Sequence, residues 1–82
     1  MELAKQIEDL IKNPIERAGY EFKKVEIKQK GRAKELIITI DKEGGVSVED
    51  CAKVSKLIDP LIEEKNLIRG RYFLTVSSPG IE

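Results

Sequence analysis

Few side chains of this chain could act as nucleophiles. Cys51 is the single cysteine among the 82 residues, and there is no histidine, so no imidazole could take the proton of its thiol. Its place within an apolar helical stripe favours a buried structural cysteine. A lone cysteine cannot form an internal disulfide, and a zinc site would need more thiols or a histidine. We therefore expect neither a catalytic cysteine nor a metal site.

Hydroxyls and carboxylates form no catalytic pattern either. Ser77 and Ser78 lack a general base and the Gly-x-Ser-x-Gly turn of serine hydrolases, which favours a role in capping a strand end. Adjacent acids such as Glu49 and Asp50 point in different directions on a helix and are typical of a solvated face. The glycines at 44–45 lack the spacing and the lysine of a phosphate-binding loop. The sequence thus predicts no enzyme and no cofactor.

One run of basic residues could bind phosphate groups. Residues 23–34 contain six lysines and arginines and a single acid, whereas residues 41–50 contain four acids and one lysine. Because the whole chain has 15 charges of each sign, only this uneven distribution suggests a polyanionic partner. A solvated loop tip that binds nothing is the alternative. The candidate RNA or ribosome contacts are Lys28, Lys30, Arg32 and Lys34.

Length and composition favour a single folded domain over residues 1–82. Hydrophobic residues make up 40% of the chain and charged residues 37%, which is too apolar for a disordered tail and too charged for a membrane protein. No apolar run approaches the roughly 20 residues that span a bilayer, and the first twelve residues do not resemble a signal peptide. We expect a cytoplasmic protein with one core.

The N-terminal segment has the periodicity of an amphipathic helix. Pro14 lies inside the pattern, where we expect a kink or a short second helix, and Gly19 is expected to end the helical segment. The apolar positions of this stripe are Leu3, Ile7, Leu10, Ile11, Ile15 and Ala18.

Two strands are predicted next, joined as an antiparallel hairpin. Tyr20 and Phe22 share one face and are expected in the core, whereas Val25 and Ile27 fall on the other parity, so a one-residue bulge is expected near Lys23. Residues 36–40 alternate as in a well-covered strand. Between the two strands, the basic segment 29–34 predicts a long connection with a mobile tip.

A second helix and a third strand complete the pattern. Ser47 is expected to cap the helix by accepting from the amide of Asp50, after a turn at the glycines 44–45. The helix should bend before Pro60 and end near Asn66. A third strand over residues 72–77 should finish by Ser78, because Pro79 cannot donate to a ladder. The predicted inward stripe of the helix is Val48, Cys51, Ala52, Ser55, Ile58, Leu61 and Ile62.

This order of elements predicts an α/β two-layer sandwich of the α+β class, with two helices on one face of a three-stranded sheet. Periodicity leaves open whether the third strand lies beside the first or the second. The order α-β-β-α-β is also distantly similar to KH-type RNA-binding domains. The Gly-x-x-Gly loop that clamps nucleotides in those domains is missing, so the similarity bears on fold more than on function.

Several short motifs occur together in a family-specific order. They are Ala-Gly-Tyr at 18–20, Ile-Thr-Ile-Asp at 38–41, Gly-Gly-Val at 44–46, Ser-Val-Glu-Asp-Cys at 47–51 and Tyr-Phe-Leu-Thr-Val-Ser-Ser-Pro-Gly at 72–80. In combination they resemble the N-terminal domain of the RimP family of bacterial ribosome maturation factors. The resemblance covers nearly the whole chain. Thr75 departs from it, because family members often carry glutamate there.

The resemblance implies a non-enzymatic factor in the maturation of the small ribosomal subunit. The implied partners are the immature small subunit, a small-subunit ribosomal protein and rRNA, with no membrane and no small-molecule substrate. A KH-like RNA-binding module or a protein-interaction module unrelated to ribosomes stays an alternative.

The resemblance also bears on the end of the sequence. Family members continue past Ser-Ser-Pro-Gly into a small C-terminal β-barrel domain, which is absent from these 82 residues, either because they are part of a longer protein or because this is a naturally short relative. We therefore expect Ser77, Ser78, Pro79 and Gly80 to form an interdomain hinge, with a capped strand end as the alternative.

Overall fold

The computed structural model describes residues 3–68 and 70–79 and has the predicted order of elements. These are α1 (Leu3–Arg17), β1 (Glu21–Lys30), β2 (Ala33–Asp41), α2 (Val48–Lys65) and β3 (Tyr72–Ser77). The helices contact each other, α1 packs on β1, and α2 packs on β3. The α+β fold, with both helices against a three-stranded mixed sheet, is therefore confirmed. Within the described ranges, no helix has the length and apolar character needed to cross a membrane.

The strands follow the order β1-β2-β3 across the sheet, so the third strand lies beside the second. It runs parallel to β2, whereas β1 and β2 are antiparallel. A parallel neighbour requires a crossover connection, and α2 supplies it. The register between β1 and β2 shifts between Phe22 and Lys24, which confirms the predicted bulge.

The connection between β1 and β2 is shorter than we predicted. Strand β1 continues to Lys30 and β2 begins at Ala33, so the expected long loop over residues 29–34 is wrong. Gly31 has φ +62°, whereas Arg32 has no positive φ, which is the pattern of a two-residue type II′ hairpin turn. The side-chain amide of Gln29 donates to the Gly31 carbonyl at 2.8 Å and helps to hold the turn.

The core lies between the helices and the inner face of the sheet. Helix α1 contributes one residue from each turn, and it continues through Pro14 to Arg17 without starting a second helix. Gly19 adopts φ +97° just after this helix, Tyr20 is buried, and Phe22 packs against the core as expected. Ala18 is exposed because it follows the last helical residue. The fully buried residues include Ile7, Ile11, Ile15, Leu36, Ile38, Ile40 and Ile58.

The inward stripe of α2 differs from the prediction. Its buried residues are Val54, Ile58 and Ile62, each four residues from the next, while Cys51, Ser55 and Leu61 are half-buried. Val48 is 73% exposed, and Ala52 is exposed. Ala52 precedes Val54 by two residues, or about 200° around the helix axis, so the two cannot share a face.

Helix α2 begins at a capping box that also contacts Tyr20, the residue just before β1. Ser47 Oγ accepts from the amide of Asp50 at 3.1 Å, and Asp50 Oδ2 accepts from the amide of Ser47 at 3.0 Å. The Tyr20 hydroxyl donates to the other oxygen of Asp50 at 2.7 Å. These bonds, the Ser47 amide first and then Tyr20, lower the pKa of Asp50 to about 2. The helix ends at Lys65, with Asn66 as a left-handed cap, as predicted.

Candidate nucleic-acid interface

The helices cover only one face of the sheet. Leu36, Ile38 and Ile40 are fully buried on that face. Successive residues of a strand point to opposite faces, and paired residues on neighbouring strands share a face. The residues of the other parity therefore form an uncovered surface, which we call the open face. From β1 to β3 it consists of Glu21, Lys24, Glu26, Lys28, Lys30, Ala33, Glu35, Ile37, Thr39, Asp41, Phe73, Thr75 and Ser77.

An exposed aromatic ring lies next to lysines on the open face. Lys28 pairs with Glu35, which pairs with Phe73, so these three form one row across the sheet. Neighbouring strands are about 4.8 Å apart, which places the ends of the row about 10 Å from each other. Phe73 is 52% exposed, and Lys30 Nζ lies 5.3 Å from the centroid of its ring, within cation–π range.

The structure divides the four predicted contacts among different surfaces. Lys28 and Lys30 both lie on the open face, because they pair with Glu35 and Ala33. Arg32 occupies the exposed hairpin turn at the end of that face. Lys34 instead pairs with Gln29 and Tyr72, and it is half-buried on the side of the helices. The four residues thus do not form one cluster, and their contact with RNA stays a prediction.

Some cations near the open face already have carboxylate partners. Lys24 Nζ lies 3.4 Å from Glu26, and Lys23 Nζ lies 3.3 Å from Glu21. Exposed pairs of this kind contribute at most about 1 kcal/mol and are screened by salt. In contrast, no carboxylate among residues 3–68 and 70–79 lies within salt-bridge distance of Lys28, Lys30 or Arg32. These three cations are therefore available to phosphate groups.

The acids of the open face are partly engaged within the sheet. Thr75 Oγ1 donates to Glu35 Oε2 at 3.2 Å, which connects β3 to β2 across the surface. Thr75 is the position at which the sequence departs from the pattern that it resembles. Threonine there supplies a hydroxyl donor, whereas glutamate would add a second negative charge beside Glu35 and Phe73.

Phe73 is the site residue that sequence reasoning missed. The run at 72–77 looks apolar throughout, so the pattern does not show which parity faces water. Tyr72 differs from its neighbour, because its side chain is half-buried on the helix side and its hydroxyl donates to Asp59 Oδ1 of α2 at 2.6 Å. Burial and this hydrogen bond raise the pKa of Tyr72. Tyr72 thus ties β3 to α2 and leaves Phe73 facing outward.

The other candidate residues have structural surroundings. Cys51 is half-buried, and burial, followed by the charge of Asp50, raises the pKa of its thiol, which disfavours the reactive thiolate. Ser77 ends β3 opposite Thr39, Ser78 is half-buried, and Pro79 lies in an exposed turn. Gly80, the last predicted hinge residue, lies outside the described residues. Among those described, no group of three or more histidine, cysteine or carboxylate side chains could hold a metal ion.

A family model described as the RimP N-terminal domain matches residues 10–82 of the chain. The match includes all three strands, α2 and the second half of α1, and with them the whole open face. It agrees with the short motifs in the sequence. Of these motifs, Ser-Val-Glu-Asp-Cys contains the capping box of α2, and Ala-Gly-Tyr contains the tyrosine that donates to it.

Proposed function

The chain belongs to the RimP family of ribosome maturation factors, and we propose that it is a non-enzymatic assembly factor domain that binds the immature small ribosomal subunit. Its place of action is then the cytoplasm, and its partners are rRNA and a small-subunit ribosomal protein. Family membership supports the ribosomal role. The open face, with Lys28, Lys30 and Phe73 on one surface, supports a direct contact with rRNA.

Two kinds of interaction would hold RNA on the open face. Lysines that neutralise phosphates release condensed counterions, which gives affinity for RNA without reading its sequence. An exposed ring can stack on an unpaired base, and this adds about 1–3 kcal/mol per base. Lys28, Lys30 and Phe73 project from paired strands, so the surface needs little ordering when RNA binds. Single-stranded segments of an incompletely folded rRNA present both phosphates and unpaired bases.

The experiment that tests this proposal is co-sedimentation with purified immature small subunits. Reversing two charges on the open face, with Lys28→Glu and Lys30→Glu together, should remove most of the bound protein. Lys53→Glu with Lys56→Glu is the matched control, because both lysines are exposed on α2 and the net charge changes equally. If both variants lose binding equally, or if neither loses binding, the open face is not the contact surface.

Ribonuclease distinguishes the two classes of partner. If rRNA is the main contact, a pull-down of immature subunits with this domain should lose the small-subunit proteins after ribonuclease treatment. Capture of one purified ribosomal protein without RNA and at high salt would instead favour a protein-interaction module.

The segment Ser77 to Gly80 is part of the proposal as a hinge to a C-terminal domain. Strand β3 ends at Ser77, and Pro79 lies in an exposed turn, where a change of chain direction would disturb little packing. In a protein that carries the second domain, Pro79→Ala with Gly80→Ala should alter the distance distribution measured by small-angle X-ray scattering. An unchanged distribution would favour a simple capped strand end.

A further inference from the structure

The outer edge of β3 has the features of a binding site for a peptide. Strand β3 is the last strand in the order β1-β2-β3, and in the part of the chain that the structure describes its only strand partner is β2. The backbone groups on its other side are therefore open to a further strand. An extended peptide can satisfy them by adding to the sheet.

The two edges of the sheet differ in how they are protected against pairing. Six of the ten residues of β1 are charged, and the strand is bulged near Lys23. Charges and bulges are the usual devices that keep an edge from pairing with another chain. Strand β3 has no charged residue, and its pairing with β2 shows no register shift. The edge of β3 is thus the one suited to accept a strand.

A groove beside this edge adds a preference for positive charge. It has a volume of about 420 Å³ and is lined by Asp59 and Glu63 of α2 and by residues 70–74. Asp59 uses one oxygen to accept from Tyr72. No lysine or arginine nitrogen among residues 3–68 and 70–79 lies within salt-bridge distance of Asp59 or Glu63. Arg71 also lines the groove, so the described residues that line it carry two carboxylates and one cation.

We infer that the edge of β3 binds an extended, lysine- or arginine-bearing segment of a partner protein by strand addition, with a basic side chain in the groove beside Asp59 and Glu63. Main-chain hydrogen bonds to β3 supply affinity, and the two carboxylates select the charge. A second copy of this chain would bring no charge within β3 and only the flanking Arg71 as a cation, and it is tested below as the alternative occupant. The inference goes beyond the proposed function and does not depend on it, since it concerns a different surface and needs no RNA.

The test uses synthetic peptides and the 82-residue chain. The probe is a peptide of about seven residues, enough to span β3, that alternates threonine and valine around one central lysine, and the control peptide has glutamate in place of lysine. Titration followed by amide NMR should shift the resonances of residues 72–77, with at least about fivefold tighter binding of the lysine peptide. Asp59→Asn with Glu63→Gln should weaken the lysine peptide about three- to tenfold. Asparagine retains an acceptor for Tyr72, and thermal unfolding checks the fold of the variant.

A second measurement tests the strand geometry itself. In an added strand, alternate amides point toward the edge, so N-methylation of one alternate set of peptide amides should abolish binding and N-methylation of the other set should not. Equal behaviour of the two methylated peptides would overturn the inference, as would equal affinity for lysine and glutamate peptides or shifts confined to β1. A dimer in sedimentation equilibrium that the lysine peptide does not dissociate would assign the edge to a second copy and overturn it as well.

Discussion

Replacing Phe73 with leucine separates its role on the open face from its role in folding. Phe73 is already 52% exposed, and leucine retains most of the apolar area that is buried in the phenylalanine. We therefore expect the free energy of unfolding to fall by less than about 1 kcal/mol. Loss of a stacking surface should cost about 1–3 kcal/mol per base, which corresponds to roughly 5- to 150-fold weaker RNA binding.

The assay is fluorescence anisotropy at fixed ionic strength with a labelled single-stranded RNA of about ten nucleotides, within the usual site sizes of such surfaces. Leu57→Ala is the control, because Leu57 is also exposed and apolar, at 39%, but lies on α2. We expect this variant to bind RNA as the parent does. If Phe73→Leu stays folded and keeps the parent affinity, the ring is not a stacking platform for RNA bases.

Three further predictions concern stability. Ile38→Ala should lower the free energy of unfolding in urea by about 2–5 kcal/mol, because Ile38 is fully buried and little can fill the space; a loss below about 1 kcal/mol would contradict the described core. Gly31→Ala should cost about 1 kcal/mol, since φ is +62° and no atom lies within 4 Å of an added Cβ. Asp50 has a pKa of about 2 against an ordinary 3.8, so its stabilisation is complete above pH 3.8 and is lost as the pH falls toward 2. Asp50→Asn should remove that part of the dependence of the free energy of unfolding on pH. If the free energy of unfolding changes with pH in the same way in parent and variant, the capping box does not stabilise the fold.

Local signals in the sequence predicted several elements correctly. The change of parity between Phe22 and Val25 predicted the bulge, since one extra residue is the smallest change that keeps both sets inward. Ser47 followed by Asp50 predicted the start of α2, because both partners of a capping box lie within one turn. Such features depend on residues close together in the chain.

Features that depend on long-range packing were missed. Lysines at the end of β1 looked like a loop, but a strand with one uncovered face carries polar residues in water without losing its pairing. The position of β3 could not be predicted, because it is set by how α2 packs across the sheet. Val48 was assigned to the inward stripe of α2 from its type alone, although it lies at the first residue of the helix and is exposed.

In the candidate site, too, local features were predicted and long-range ones were missed. Composition identified the basic residues, but which of them share a face depends on the register between β1 and β2. With the two-residue turn, Lys28 pairs with Glu35 and Lys34 pairs with Gln29, so Lys28 and Lys34 lie on opposite faces. Once that register is known, the pairing of Glu35 with Lys28 and with Phe73 brings the ring into the site. The sequence alone could not supply this step, since β3 is about 40 residues away along the chain.

The most direct test of the account is the salt dependence of binding to immature small subunits. For Lys28→Ala, Lys30→Ala and Arg32→Ala together, we predict that the slope of log association constant against log salt falls in magnitude by about 2–3, or roughly 0.7–0.9 per lost phosphate contact. Lys53→Ala with Lys56→Ala on α2 should leave the slope unchanged. Identical slopes for the parent chain and the triple variant would contradict a phosphate contact at the open face and the hairpin turn.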